Sequence, residues 1–215
     1  LDYHHSRFFK ETDPSSNHFI FDLPYTWETR FYEYEWVKNF AKKEDIVLDA
    51  ACGIGHPLKF YLADECHSVY ACDIDDRILS REAIWEDAVS SYPEEIKKSV
   101  IDNYLDKIEL ACCSLTNLPY PDQVFNKVFC ISVLEHLNHD DILRSFRELK
   151  RVLKDDGQLI FTFDYPTISI NTLANIMKET GVEFYDQFTL NKPDNAVVSR
   201  IWHELSCFRA VLKKI

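Results

Sequence analysis

The sequence predicts an α/β fold: a doubly wound, largely parallel sheet with helices on both faces and a helical cap at its N-terminal end. Three observations predict it. Short apolar runs that suit strands buried on both faces alternate with amphipathic, helix-length stretches along the 215 residues. Residues 45–56, Asp-Ile-Val-Leu-Asp-Ala-Ala-Cys-Gly-Ile-Gly-His, run such a strand into a glycine turn. An acidic residue, Asp73, closes the next strand at close to the roughly 20 residues expected between a glycine turn and a ribose-binding acid.

In chain order, residues 1–25 carry a Pro-Ser-Ser loop at 14–16 and no clear periodicity, which reads as a partly ordered cap. Trp27, Phe31, Tyr34, Val37, Phe40 and Ala41 recur at three and four, one face of a helix, with Thr26 as its N-cap. Ile46, Val47 and Leu48 form the first strand, closed by Asp49. Gly53 and Gly55 allow a sharp turn and the close approach of a ligand to the backbone. A helix follows over 56–63 with Pro57 in its first turn.

Residues 68–72 form the second strand. Two helices split by Pro93 occupy 76–106, the second opening Pro93-Glu94-Glu95; 93–106 reads as a helical insertion that could shape the surface or serve a homodimer contact. Strands follow at 108–113 and 124–131, then a helix over 140–153 stopped by Asp-Asp-Gly157. A fifth strand over 158–163 leads to Asp164, a helix over 171–180 stops at Gly181, and the last strands cover 182–188 and 205–212. The division is a cap or lid over 1–44 and a core over 45–215.

Composition narrows the function. The net charge is -12, with 36 acidic against 24 basic residues and no basic run longer than two lysines. Such a surface repels phosphate backbones and anionic lipid, so neither nucleic acid nor a membrane is expected as partner, and a small molecule is. No run approaches a membrane span. The seven cysteines are odd in number, form no C-x-x-C, and mostly sit in apolar runs such as those of Cys72, Cys112, Cys130 and Cys207; they read as small buried hydrophobes in a cytoplasmic protein without disulfides. No signal-peptide pattern opens the chain.

The run Asp49-Ala-Ala51-Cys-Gly53-Ile-Gly55 resembles the pattern Asp-x-(Gly/Ala)-Cys-Gly-x-Gly of class I S-adenosylmethionine-dependent methyltransferases, in particular small-molecule members of the type 11 and 25 kind. Ala51 stands where that family more often has its first glycine. Phe125-Asn-Lys-Val-Phe-Cys-Ile-Ser-Val-Leu-Glu-His136-Leu is similar to the family's Phe-Asp-x-Val-x-x-x-x-Val-Leu-Glu-His-Leu. Ser114-Leu-Thr-Asn-Leu-Pro resembles its Gly-Asp-Ala-x-x-Leu-Pro, with Ser114 in place of the acid. Arg30-Phe-Tyr-Glu-Tyr-Glu-Trp36 looks like the Arg-x-x-Glu-Tyr-x-Trp run of relatives whose helix covers the cofactor's methionine end.

The resemblance implies a Rossmann-like sheet of about seven strands, the last antiparallel, and S-adenosylmethionine as cofactor. It implies that Arg30, Asp49, Ala51, Gly53 and Gly55 hold the cofactor with Asp73 on the ribose hydroxyls. Ile74, Ser114 and Leu115 would meet the adenine, and the backbone carbonyl of Cys130 the amino group. His136 and Asp164, at the ends of two strands, would serve as a catalytic base and its partner, in the O- or N-methylation of a small-molecule acceptor. Phe19, Phe21, Tyr25, Trp27, Phe31 and Tyr32 suggest a partly apolar acceptor.

Other readings stay open. A dinucleotide fingerprint would need a third glycine where Leu58 stands. A non-catalytic fold relative would keep the same turn. His136 and His139 share a helical face, yet no third ligand is placed, so no metal is expected.

Overall fold

The computed structural model describes residues 2–92, 96–202 and 204–215. In chain order the elements are β1 (Arg7–Phe8), α1 (Arg30–Val37), β2 (Ile46–Ala50), α2 (Leu58–Glu65), β3 (Ser68–Asp73), α3 (Arg81–Ser91), α4 (Lys98–Leu105) and β4 (Ile108–Cys112). They continue with β5 (Phe125–Ile131), α5 (His139–Val152), β6 (Leu153–Tyr165), α6 (Ile170–Thr180), β7 (Val182–Phe184) and β8 (Ser206–Lys214). One eight-stranded sheet takes the order β1-β8-β6-β5-β2-β3-β4, and β7 also pairs with β8.

The strands from β4 across to β6 are parallel, and β8 runs antiparallel to β6. The chain winds outward from β2 in one direction to β4, then crosses back to β5 on the other side. That reversal sets a switch point between β2 and β5, and a crevice opens there beyond the strands' carboxyl ends. Residues alternate between two cores, as a pleated strand requires. Val47, Phe129 and Ile160 face a layer built with α1, α2, α3 and α4. Leu48, Val128, Cys130 and Phe161 face a layer with α5 and α6.

Several expectations are corrected. The N-terminal segment is not helical ahead of α1: past a single 3₁₀ turn at Asp2–His4 it adds β1 antiparallel to β8, Arg7 opposite Arg209. The helix expected from Trp27 begins only at Arg30, and its N-cap position is Thr29, without a side-chain bond; the Thr26 carbonyl instead accepts from the Trp202 indole N–H at 3.1 Å. Gly157 stops no helix. α5 ends at Val152 because Leu153 already has extended backbone, and the register jumps from Phe125–Leu153 to Lys127–Gln158, so Gly157 lies in a bulge of β6. Cys112 is exposed, whereas Cys72, Cys130 and Cys207 are buried, and all seven thiols are free. The expected helix start at Pro93-Glu94-Glu95 lies outside the described residues; α4 is seen from Lys98.

The helices expected at 140–153 and 171–180 form as α5 and α6. Asn138 caps α5 by accepting from the Asp141 N–H at 3.0 Å, and Gly181, with φ +68°, closes α6 in the left-handed conformation. Asn126, which replaces the acid of the resembling motif, accepts from the Ile46 N–H at 2.9 Å and so pins the start of β2 to β5. No helix among the described residues is long and apolar enough to cross a membrane.

Candidate functional site

A cleft of about 590 Å³ opens at the switch point. It brings together Arg30 of α1, Asp49 of β2 with Ala51 and Gly53 after it, Asp73 at the end of β3 with Ile74 after it, Ser114 and Leu115 after β4, and His136 after β5. Of the cofactor-binding and catalytic residues expected from sequence, Gly55, Cys130 and Asp164 are not on its wall.

The turn after β2 shows why. Ala51 and Gly53 take φ of +55° and +65°, so the chain turns twice through a region that costs a side chain energy. A Cβ on Gly53 would lie 2.7 Å from the His56 Cδ2. The Gly53 N–H donates to Asp73 Oδ2 at 2.9 Å, and the fully buried Lys59 Nζ donates to the carbonyls of Gly53 and His56, both at 2.8 Å. Gly55 answers a different need: its N–H donates to Asp87 of α3, the Tyr92 hydroxyl donates to its carbonyl, and a Cβ would meet the Ala88 nitrogen at 2.6 Å. It lets α3 pack against the turn.

Asp49 is buried and, among the described residues, its Oδ2 has no hydrogen-bond partner. Burial pushes its carboxyl up to about 7, with Lys59 opposing and Asp73 reinforcing the rise. Ile74, 75% exposed, forms an apolar shelf. Opposite it the Ser114 hydroxyl is 2.8 Å from that of Thr116 and accepts from the Thr116 N–H at 3.2 Å, a local turn that fixes its direction.

On the far wall the 3₁₀ turn Leu134–His136 places the His136 ring at the cleft's edge, exposed and without a side-chain partner among the described residues. Asp164 does not hydrogen-bond it. Burial, then the charge of Glu33, raises the Asp164 carboxyl, while Arg30 and His136 pull it down. Cys130 is buried in β5, and the wall begins with the next three residues.

Sequence reasoning missed several residues. Glu33, wholly buried, accepts at Oε2 from Arg30 and from the Ser132 hydroxyl, both at 2.8 Å, and from the Thr162 hydroxyl at 2.5 Å. It ties α1 to the ends of β5 and β6. The i, i+3 spacing of Arg30 and Glu33 was the available signal; for Ser132, at φ +48°, nothing in the sequence was. Both Glu135 carboxylate oxygens are buried without a side-chain hydrogen-bond partner among the described residues, and burial pushes its carboxyl up to about 8. Tyr34 and His56 also line the cleft. Phe19 and Phe21 belong to the core, Trp27, Phe31 and Tyr32 pack against it, and Tyr25 is exposed; none of the six lines the cleft, so the acceptor surface expected of them is not on its wall.

A family profile described as a methyltransferase domain matches residues 48–161. An uncharacterized protein of Methanocaldococcus jannaschii is 32% identical over 126 residues, 58% of this chain and 43% of that one. A probable methyltransferase, ltbC, of Aspergillus luteorubrus is 32% identical over 139 residues, 62% of this chain and 46% of its own. The chain thus spans about half the length of the curated relatives it matches. Among solved structures, the [4+2]-cyclase SpnF superposes with a TM-score of 0.64 at 15% identity, covering 98% of this chain and 86% of the other. At that identity the likeness shows the fold alone.

Proposed function

Because this chain belongs to the methyltransferase domain family, we propose that its cleft binds S-adenosylmethionine and that the protein methylates a small-molecule acceptor at oxygen or nitrogen. The observation that carries the reading is the strained turn at the switch point: Ala51 and Gly53 in left-handed backbone, with Asp73 bonded to the Gly53 N–H. That cradle fits the cofactor, since the Asp49 Oδ2 beside it is buried and, among the described residues, lacks a donor that an ammonium supplies.

In this reading Asp73 holds the ribose hydroxyls, Ile74 and Leu115 sandwich the adenine with Ser114 at its edge, and the carbonyl of Cys130 together with Asp49 takes the amino group. When bound, S-adenosylmethionine supplies an electrophilic methyl on a sulfonium. The chain's task is then to place an acceptor in line and to take its proton. His136 stands at the edge of the cleft with its ring unpartnered among the described residues, and Asp164 stabilises the imidazolium by its charge rather than by a hydrogen bond. Within residues 1–44, α1 and the segment just before it act as the lid, with Glu33 as its strut, while β1 stays part of the sheet. The acidic surface suits a small acceptor rather than a polynucleotide, and α4, with Val100 facing outward, offers a homodimer contact.

Isothermal titration with S-adenosylhomocysteine and with NAD tests the reading. Binding of the first and not the second is expected. NAD binding without S-adenosylhomocysteine binding would overturn it.

A further inference from the structure

His56 stands on the cleft wall and has no part in the chemistry above. Its ring is boxed in. Trp27 stacks on it with ring centroids 4.6 Å apart at 29°, and the Gly53 turn lies against it, as the 2.7 Å approach of a Gly53 Cβ to its Cδ2 shows. Lys59 holds its carbonyl.

The remaining freedom is where the ring proton sits, and Tyr34 decides it. The Tyr34 hydroxyl is 3.3 Å from His56 Nδ1, the one partner it has among the described residues, and Tyr34 is only 3% exposed. A buried hydroxyl directs its hydrogen to an available acceptor. Tyr34 therefore donates, Nδ1 accepts, and the proton of the neutral ring is on Nε2. Nε2 has no protein partner among the described residues. Burial, then the nearby charges of Arg30 and Lys59, holds the basicity of the ring down to about 3, so it stays neutral and keeps this single tautomer at neutral pH.

Those same cations mark this corner of the cleft as one that favours an anion. The Arg30 side chain gives only one of its nitrogens to Glu33 and has no other partner among the described residues. The Asp49 carboxyl reaches the same lysine and, in the reading above, takes the ammonium carried on the same carbon as the carboxylate, while Asp73 is turned to the Gly53 N–H. The cofactor proposed above carries a single carboxylate, on its methionine portion.

We propose that His56, through Nε2–H, is a second donor beside Arg30 to the methionine carboxylate of the cofactor, with Tyr34 as the positioning residue that fixes its tautomer. The inference rests on the proposed function, because it needs that cofactor in this cleft.

Two ligands separate the outcomes: S-adenosylhomocysteine, and its thiopropylamine analogue, which lacks only the carboxylate. His56→Phe keeps the ring that stacks on Trp27 but has no donor. It is expected to weaken S-adenosylhomocysteine about 10-fold or more, the size of a hydrogen bond to a charged group, and to leave the analogue within about 3-fold. His56→Gln, which keeps a donor, should recover part of the loss. Tyr34→Phe should weaken only the carboxylate ligand, and by less, because the ring can then take either tautomer. Circular dichroism checks that each variant is folded. Equal weakening of both ligands by His56→Phe, or unchanged S-adenosylhomocysteine affinity, overturns the inference. If the parent protein binds neither ligand, the proposed function fails and takes this inference with it.

Discussion

At the level of single residues, the glycine turn joins backbone strain to ligand space. Gly53→Val would place a branched side chain at φ +65° and drive it into the His56 ring, so S-adenosylhomocysteine binding is expected to vanish in titration. Asp73→Ala should weaken it by about 1–3 kcal/mol, the cost of losing hydrogen bonds to a charged acceptor. Unaltered affinity in both variants would remove the cofactor from this cleft. Glu135 offers a test that needs no ligand. An unfolded glutamate titrates near about 4.3, whereas burial pushes this one up to about 8 in the folded protein. Between those values the folded chain holds a proton that the unfolded chain has released, so this group's contribution falls as pH rises through the window. Glu135→Gln removes the ionisation and should raise the melting temperature more at pH 8 than at pH 5. An equal gain at both would mean that the carboxyl is solvated. Residue identity showed Asp49, Gly53 and Asp73 in the sequence because their spacing is fixed by a turn. The orphaned oxygens of Glu135 were illegible there, because burial is a property of the neighbours.

At the scale of elements, the placement of strands was readable from apolar runs, while the ends of helices were less so. α1 starts at Arg30 because the Thr26 carbonyl is taken by Trp202, a residue far along the chain. α5 ends where β6 begins without any intervening loop, and the glycine that resembled a stop serves a bulge instead. Tertiary partners decided both, and no local pattern records them. Such a partner also holds α1 in place. Glu33 is the acceptor for one guanidinium and two hydroxyls on β5 and β6 ends, and removing it leaves Arg30, 17% exposed, without its counter-ion. Glu33→Ala is therefore expected to destabilise the fold by about 3 kcal/mol. Glu33→Gln, which keeps an acceptor for Ser132 and Thr162, should cost less. Urea unfolding gives the ranking, and hydrogen exchange should show the loss of protection concentrated in residues 30–37. Identical unfolding midpoints for parent and Glu33→Ala would show that α1 is held by its apolar face alone.

For the whole molecule, the sheet was expected with about seven strands and a cap laid beside it, and the difference lies at one edge. β8 is antiparallel and would leave its outer side open, a template for pairing with other chains. Two short strands close it, β7 opposite Leu212–Lys214 and β1 opposite Phe208 and Arg209. β1 is too short to show periodicity, which is why the sequence around Arg7 read as irregular. Its neighbours nevertheless serve both layers: Phe8 packs into the core that holds α5 and α6, and Phe9 into the core on the opposite face. Each is 1% exposed. Successive side chains point to opposite faces of a sheet, so this one step of chain seals both cores at once. Phe8→Ala and Phe9→Ala are each expected to destabilise by about 3–5 kcal/mol, the range for a truncated buried aromatic. The double variant should lose most of a typical domain's roughly 5–15 kcal/mol and, with the edge of β8 released, elute as larger species in size-exclusion chromatography. If the segment were only a lid, both single variants would unfold at the parental urea concentration and only ligand affinity would change.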